Sequence, residues 1–233
     1  MPVSSKRTVI ILAGGQSLRF GSNKALELLD GKPLVCHVVE RLSRIADEVF
    51  LVIGYREPRA DYDAVLPRSV RVVNDDRDGK TPLIGIVAGL QAAKSEYALI
   101  CACDVPFVKE EVVELLFQRA SGVDAAIPKW SKGHIEPLEA VYRVASTLKA
   151  AQETLALTGM PLRVMIGKLA QVVYVSVEDE IGRVNPDLRT FFNVNTREDM
   201  ERAEELCARE YSPAGLKPEQ DVGTDGFGKR KGA

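Results

Sequence analysis

Two adjacent glycines, Gly14 and Gly15, directly follow an apolar run, and Arg19 and Lys24 come within the next ten residues. Glycines at a strand end let backbone N–H groups approach an oxyanion with no Cβ in the way. The two cations add side-chain charge, so the segment is suited to hold a polyanion. It is not G-x-G-x-x-G, because the glycines are adjacent. It is not G-x-x-x-x-G-K-[ST] either, because five residues separate Gly15 from Gly21 and no Gly-Lys-Ser/Thr follows. A second candidate is Asp104, just past the apolar run in "YALICACDVPFV". Burying a carboxylate with no partner costs on the order of tens of kcal/mol by the Born estimate, so burial demands a hydrogen bond or a cation. Mg²⁺ takes one or two carboxylates together with substrate phosphates and waters. A phosphate-holding loop, with a carboxylate across from it at another strand's carboxyl end, therefore predicts a phosphate–metal site.

Other chemistries lack their residues. Cys101 and Cys103 form a C-x-C, but a structural zinc wants four ligands, and His37 and His134 show no ligand spacing with them. These cysteines read as packed apolar residues. No Ser-His-Asp or Cys-His nucleophile is supported.

The elements that must position these groups alternate strand and helix. Thr8–Ala13 reads as a strand, Pro33–Ile45 as a helix with Pro33 in its first turn, and Val49–Ile53 and Val70–Val73 as strands. Ile84–Ala93 reads as a helix, Ala98–Cys101 as a strand, Glu110–Ala120 as a helix and Ala125–Ile127 as a strand. Runs such as "VFLVI" and "YALIC" are apolar throughout, as in a sheet covered on both faces. The expected fold is α/β: a three-layer, Rossmann-like, mostly parallel sheet in a single domain over residues 1–211. Further on, "EPLEAVYR" and "QVVYVSV" read as strands, and 145–157 and Thr196–Glu210 as helices. Thr196 is the expected N-cap of the last helix, with Asp199 at capping-box spacing. Residues 212–233 hold Gly, Pro, Lys and Asp with almost no apolar residues and read as a disordered tail.

The chain has 233 residues, 45% hydrophobic, with a formal net charge of −2. That composition is enough for a substantial core. The charge excludes a general nucleic-acid-coating role, which needs a strong basic excess. No run of 18 apolar residues predicts a membrane span. The basic N-terminus leads into only Val9–Ala13 before the glycines, which reads as a first strand and not as a signal peptide. Four scattered cysteines suggest reduced thiols and a cytoplasmic protein.

The run L-A-G-G-x-S-x-R-F-G-x-x-K, from Leu12 to Lys24, resembles the signature of nucleotidylyltransferases of the nucleoside-diphospho-sugar transferase superfamily. The "CDVP" around Asp104 resembles that superfamily's metal-binding aspartate. Further stretches resemble the molybdenum cofactor guanylyltransferases: "NDDRDGKTPLIGIVAGL", "GMPLRVMIGKLAQVVYV", "IEPLEAVY" and "FFNVNTREDMERAE". Together the resemblance covers residues 8–206 in order. It implies a transfer of GMP from GTP to the phosphate of molybdopterin with Mg²⁺. Leu12, Ala13, Gly14 and Gly15 would form the nucleotide-binding turn, and Arg19 and Lys24 would neutralise phosphate charge as pyrophosphate leaves. Asp104 would hold the metal. Asp75 and Gly85 would meet the guanosine. Arg163 and Lys168 would face the anionic pterin, and Asn193 and Asn195 would reach back toward the metal or the acceptor phosphate. Molybdoenzymes or cofactor-insertion proteins are the implied partners, with no nucleic acid or membrane.

Three positions depart from the family pattern. Thr81 stands for the glycine of G-P-L-x-G, Ile53 for a base-contacting asparagine of some members, and Arg197 for the proline of N-T-P-E-D. The first two bear on base choice. Two rivals stand beside the guanylyltransferase reading. One is a cytidylyltransferase acting on molybdopterin or a sugar phosphate. The other is a non-catalytic module that holds nucleotide or cofactor for delivery.

Overall fold

The structure is a computed structural model that describes residues 6–14, 23–77, 79, 81–157 and 161–210. Strand β1 (Arg7–Leu12) is followed in the described chain by a 3₁₀ turn at Lys24–Leu26 and a small ribbon of β2 (Leu28–Leu29) and β3 (Lys32–Pro33). Helix α1 (Leu34–Leu42), strand β4 (Glu48–Ile53), helix α2 (Arg59–Asp63), strand β5 (Val70–Asn74) and helix α3 (Pro82–Ala92) come next. Strand β6 (Tyr97–Ala102), helix α4 (Glu110–Ala120) and strands β7 (Ala125–Lys129) and β8 (Glu139–Arg143) complete the middle. Helices α5 (Val144–Leu155) and α6 (Leu162–Gly167), strand β9 (Val172–Ser176), a π turn at Val177–Ile181 running into α7 (Gly182–Val184), a 3₁₀ turn at Arg189–Phe191 and helix α8 (Arg197–Glu210) finish the described chain.

The main sheet runs in the order β5-β4-β1-β6-β8-β7-β9. Strands β5, β4, β1 and β6 are parallel, β8 is antiparallel to both β6 and β7, and β9 is parallel to β7. Only β8 is reversed, so the carboxyl ends of the others share one edge with the start of β8. In open α/β sheets that edge is where ligands bind.

The apolar spacing explains the layers. On one face Val35, Val38, Val39 and Leu42 of α1 and Val112, Val113 and Leu116 of α4 meet Val9, Ile11, Leu99, Cys101 and Val141 of the sheet. On the other, Leu83, Ile86 and Leu90 of α3, Ala150 and Ala151 of α5, and Met165 and Ile166 of α6 meet Ile10, Val52 and Ile100. Helix α8 closes a third cluster, in which Ala203 and Cys207 join Leu29, Leu34, Phe107 and Val194. Each buried Leu, Ile or Val contributes about 1.5–3 kcal/mol, so the two faces hold the edge rigid.

Several boundaries differ from the sequence expectation. Pro33 pairs with Leu28 in the ribbon and lies before the helix, which begins at Leu34 and ends at Leu42. The cause is the "DG" in "LLDGKP": Asp30 and Gly31 both have positive φ, 49° and 72°, which makes a two-residue hairpin turn. Helix α3 starts at Pro82, because Thr81 accepts a hydrogen bond from Leu83 N and caps it. "EPLEAVYR" becomes strand only from Glu139. Helices α2 and α6 fall where no helix was expected; at five and six residues they are too short to show a periodicity. The tail lies outside the described residues. No described helix is long and apolar enough to cross a membrane.

Candidate active site

Three distant segments meet at one ammonium group. Lys24 Nζ donates to Asp104 Oδ2 at 2.5 Å and to Asn195 Oδ1 at 3.3 Å. The two charged side chains are only 14% and 16% exposed. Lys24 opens the 3₁₀ turn before the ribbon, Asp104 follows β6, and Asn195 precedes α8. Val194 N donates to Asp104 O at 2.9 Å, tying the last two segments together. The expected capping box is present. Asp199 Oδ2 accepts from the N–H groups of Asn195 and Thr196, and Asp199 N donates back to Thr196 Oγ1 at 3.1 Å. The box fixes the backbone that presents Asn195. Asn193 does not reach Lys24; its Nδ2 donates to Phe191 O at 3.0 Å and braces its own turn.

The turn after β1 has less free backbone than its glycines suggest. Ala13 N and Gly14 N both donate to Val52 O, at 2.8 and 3.2 Å, and Leu12 O accepts from Cys103 N at 3.0 Å. Neither the Ala13 nor the Gly14 amide is left for an anion in this conformation. Gly14 is needed for a different reason, since a Cβ there would sit 2.8 Å from Gly54 N. The loops after β1 and β4 thus touch backbone to backbone. Gly15 and Arg19 lie outside the described residues.

Asp75 lies just past β5, with its N–H donating to Ile53 O at 2.9 Å. Its Oδ1 is buried with no hydrogen-bond partner. Burial, with the charges of Asp76 and Glu57 nearby, pushes its carboxyl up to about 6. Gly85 is the neighbour that makes room: a Cβ there would come within 3.3 Å of both Asp75 Oδ1 and a Leu12 methyl. The Ile53 side chain is buried in the α1-side core, whereas α3 and Leu12 lie on the opposite face. It therefore offers nothing to the Asp75 side, and the departure at this position changes no side chain beside Asp75.

A hard divalent cation takes oxygen ligands. Asp104 Oδ1 is buried and has no partner, and Lys24 occupies the other oxygen, so the carboxylate has an anionic oxygen to spare for such an ion. Among the described residues no set of three or more His, Cys, Asp or Glu could hold a metal, so phosphates and water must complete any coordination. Glu139 lies near this carboxylate on β8; burial first, then the charges of Glu136 and Asp104, push its carboxyl well up. Burial does the same to the Cys101 thiol and takes the Cys103 thiol to about 12. Both behave as packed residues, not as thiolates.

The two expected acceptor-side cations stand apart from this cluster. Arg163 is exposed and lines a groove of about 540 Å³ with Lys129, Ile135, Ile166 and Tyr174. Lys168 Nζ pairs with Glu153 at 2.9 Å on α5.

A network around the buried Tyr62, beside Lys24, has no local signature in the sequence. Asn23 Nδ2 donates to Tyr62 OH at 2.8 Å, Tyr62 OH donates to Glu57 Oε2 at 2.5 Å, and Asn23 Oδ1 accepts from Ala25 N. Asn74 Nδ2 donates to the carbonyls of Gly54 and Glu57 and clamps the loop after β4. Glu139 had a signal: an acid in an apolar strand, on the core-facing side with Val141.

Comparison with known proteins places this geometry. Two proteins named "Probable molybdenum cofactor guanylyltransferase", from Methanosarcina acetivorans and Methanosarcina mazei, are each 39% identical to it, over 204 and 202 residues. The alignments cover 85% and 84% of this chain and 90% and 89% of theirs. The crystal structure of molybdopterin-guanine dinucleotide biosynthesis protein A from Archaeoglobus fulgidus is similar, with a TM-score of 0.74 and 31% identity. That match covers 87% of this chain and 99% of the other. Residues 9–172 match the MobA-like NTP transferase domain, and the chain belongs to that family.

Proposed function

We propose that the protein transfers GMP from GTP to the phosphate of molybdopterin, releasing pyrophosphate and forming the guanine dinucleotide form of the molybdenum cofactor. The observation that carries the reading is the Lys24–Asp104–Asn195 cluster at the carboxyl edge of the sheet. The names of the Methanosarcina relatives supply the substrate class.

The attacking group is already an anionic phosphate oxygen, so the reaction needs no general base. Catalysis is positioning plus neutralisation of charge on the transferred and leaving phosphates. Lys24 leaves Asp104 for the pyrophosphate as negative charge develops there, and Arg19 adds a second cation. Asn195 holds the lysine on the site side. Asn193 braces the turn beside it. Asp75, with Gly85 giving it room, accepts hydrogen bonds from the guanosine, and Leu12, Ala13 and Gly14 form the floor of that pocket, with Gly15 the next residue of the nucleotide-binding segment. Asp104 would hold Mg²⁺, which supplies Lewis-acid neutralisation of the phosphates when bound. Arg163 and Lys168 lie on the pterin side.

Thermal shift with Mg²⁺ and each of GTP, CTP, ATP and UTP tests the base, because a ligand that binds only the folded state stabilises it by about 2.7 kcal/mol at 100 Kd. GTP is expected to give the largest shift, and GTP with molybdopterin to release pyrophosphate. A shift and release with CTP alone would assign a cytidylyltransferase. GTP binding with no release would assign a delivery module.

A further inference from the structure

We propose that Glu139 is a second carboxylate of the divalent-cation site, facing the same ion as Asp104 from the neighbouring strand. The inference rests on the Asp104 metal reading and extends it to a residue outside the nucleotide loop, the Asp104 turn and the terminal asparagines.

The topology makes the juxtaposition. β8 is the one reversed strand, so it begins where β6 ends. Glu139 is the register partner of Cys101, and Ala102 N donates to Leu138 O at 3.1 Å. Register partners on antiparallel strands have Cβ atoms about 4.5–5.5 Å apart on one face. Cys101 and Val141 both belong to the core on the α1 side, so the Glu139 side chain leaves the sheet on that face. Asp104 follows Cys101 by three residues, and Lys24 opens the turn that leads through the ribbon into α1. The charge of Asp104 is felt at Glu139, which puts the two carboxyls in one neighbourhood.

Burial supplies the independent observation. Glu139 is 8% exposed, and among the described residues its side chain has no hydrogen bond and no ion pair. Its neighbours Ala140, Val141 and Tyr142 are fully buried, so an apolar side chain would suit the position. The nearby charges worsen its situation. Lys24 is bonded to Asp104 and Asn195, and Glu136 accepts from Trp130 Nε1 at 2.7 Å. An uncompensated buried carboxylate costs several kcal/mol. Asp104 Oδ1 is itself buried and has no hydrogen-bond partner among the described residues. A divalent cation between the two strand ends meets both needs, and two carboxylates plus substrate phosphates is the donor set that Mg²⁺ takes. With the substrate bound, Lys24 turns to phosphate and leaves both carboxylates to the ion.

The test is Mn²⁺ titration of the full chain followed by electron paramagnetic resonance, with and without GTP, in the wild type, Glu139→Gln and Asp104→Asn. Glu139→Gln is expected to weaken Mn²⁺ binding by about 10-fold or more, and Asp104→Asn by at least as much. In chelator, Glu139→Gln should melt no lower than the wild type, because a buried charge has been removed. Glu139→Leu, which suits the apolar neighbours, serves if the glutamine variant does not fold. Wild-type Mn²⁺ affinity in either folded Glu139 variant, with loss in Asp104→Asn, overturns this inference and leaves the metal reading standing. Wild-type affinity in Asp104→Asn overturns the metal reading itself.

Discussion

Asp104 and Asp75 sit at the ends of two parallel strands on the same edge of the sheet, yet their surroundings are opposite. Asp104 is bonded to a lysine at 2.5 Å and tied by its carbonyl to the segment before α8. Among the described residues, no cation pairs with Asp75. Its neighbours are two more acids, and its carboxyl is pushed up to about 6. Under the proposed function, the difference matches what each side would receive. A triphosphate would bring several negative charges to the side with a lysine and an oxygen that can share a metal. A nucleobase would bring neutral N–H donors to an acceptor that has no partner among the described residues. An unpaired buried acceptor costs about 1–3 kcal/mol in the empty protein, and a ligand donor recovers that.

The largest test of this contrast is Asp104→Ala. Turnover, read as pyrophosphate release from GTP and molybdopterin, is expected to fall by on the order of 10³-fold. The far-UV circular dichroism should stay unchanged, since the sheet does not depend on this side chain. Near-normal turnover would remove Asp104 from the phosphate side and break the comparison.

Asp75→Asn gives an intermediate effect with a definite sign. Burial, with the charges of Asp76 and Glu57, pushes the folded carboxyl from an ordinary 3.8 up to about 6. Between these values the folded state binds more protons than the unfolded one, so Asp75 costs stability as pH rises through about 6. The residue is only half buried, which reduces the cost at neutral pH to about 1–2 kcal/mol. Melting curves at pH 4.5 and 8 should therefore show Asp75→Asn gaining on the wild type at the higher pH. GTP affinity of the wild type should fall as pH drops through about 6, and the variant should lose that dependence. A parallel pH profile for the two proteins would mean that Asp75 is not the free acceptor.

The smallest effect is expected from Asp199→Ala. Loss of the capping box should lower stability by about 1 kcal/mol, seen in the urea midpoint. It should also reduce turnover modestly by loosening Asn195, while leaving GTP discrimination alone. A change in GTP-over-CTP preference would show that the two sides are coupled.

Much of the site was legible before folding, because its chemistry is written in short local patterns. The apolar run ending in Gly14 and Gly15, the Asp104 turn and the Thr196–Asp199 box each lie within a few residues. The alternation of apolar strands with amphipathic helices likewise determines a covered, mostly parallel sheet, since both faces of "VFLVI" and "YALIC" must be buried. What the tertiary structure decided are pairings between residues far apart in the chain. Only the sheet order shows that Lys24 bonds Asp104 and Asn195, that Tyr62 bonds Asn23, and that Ile53 turns its side chain to the core. Only the register of the reversed strand sets Glu139 against Cys101, beside the Asp104 turn. Local sequence determines what a residue can do. Which partner it meets depends on strand order and register, and these follow from burying the whole chain at once.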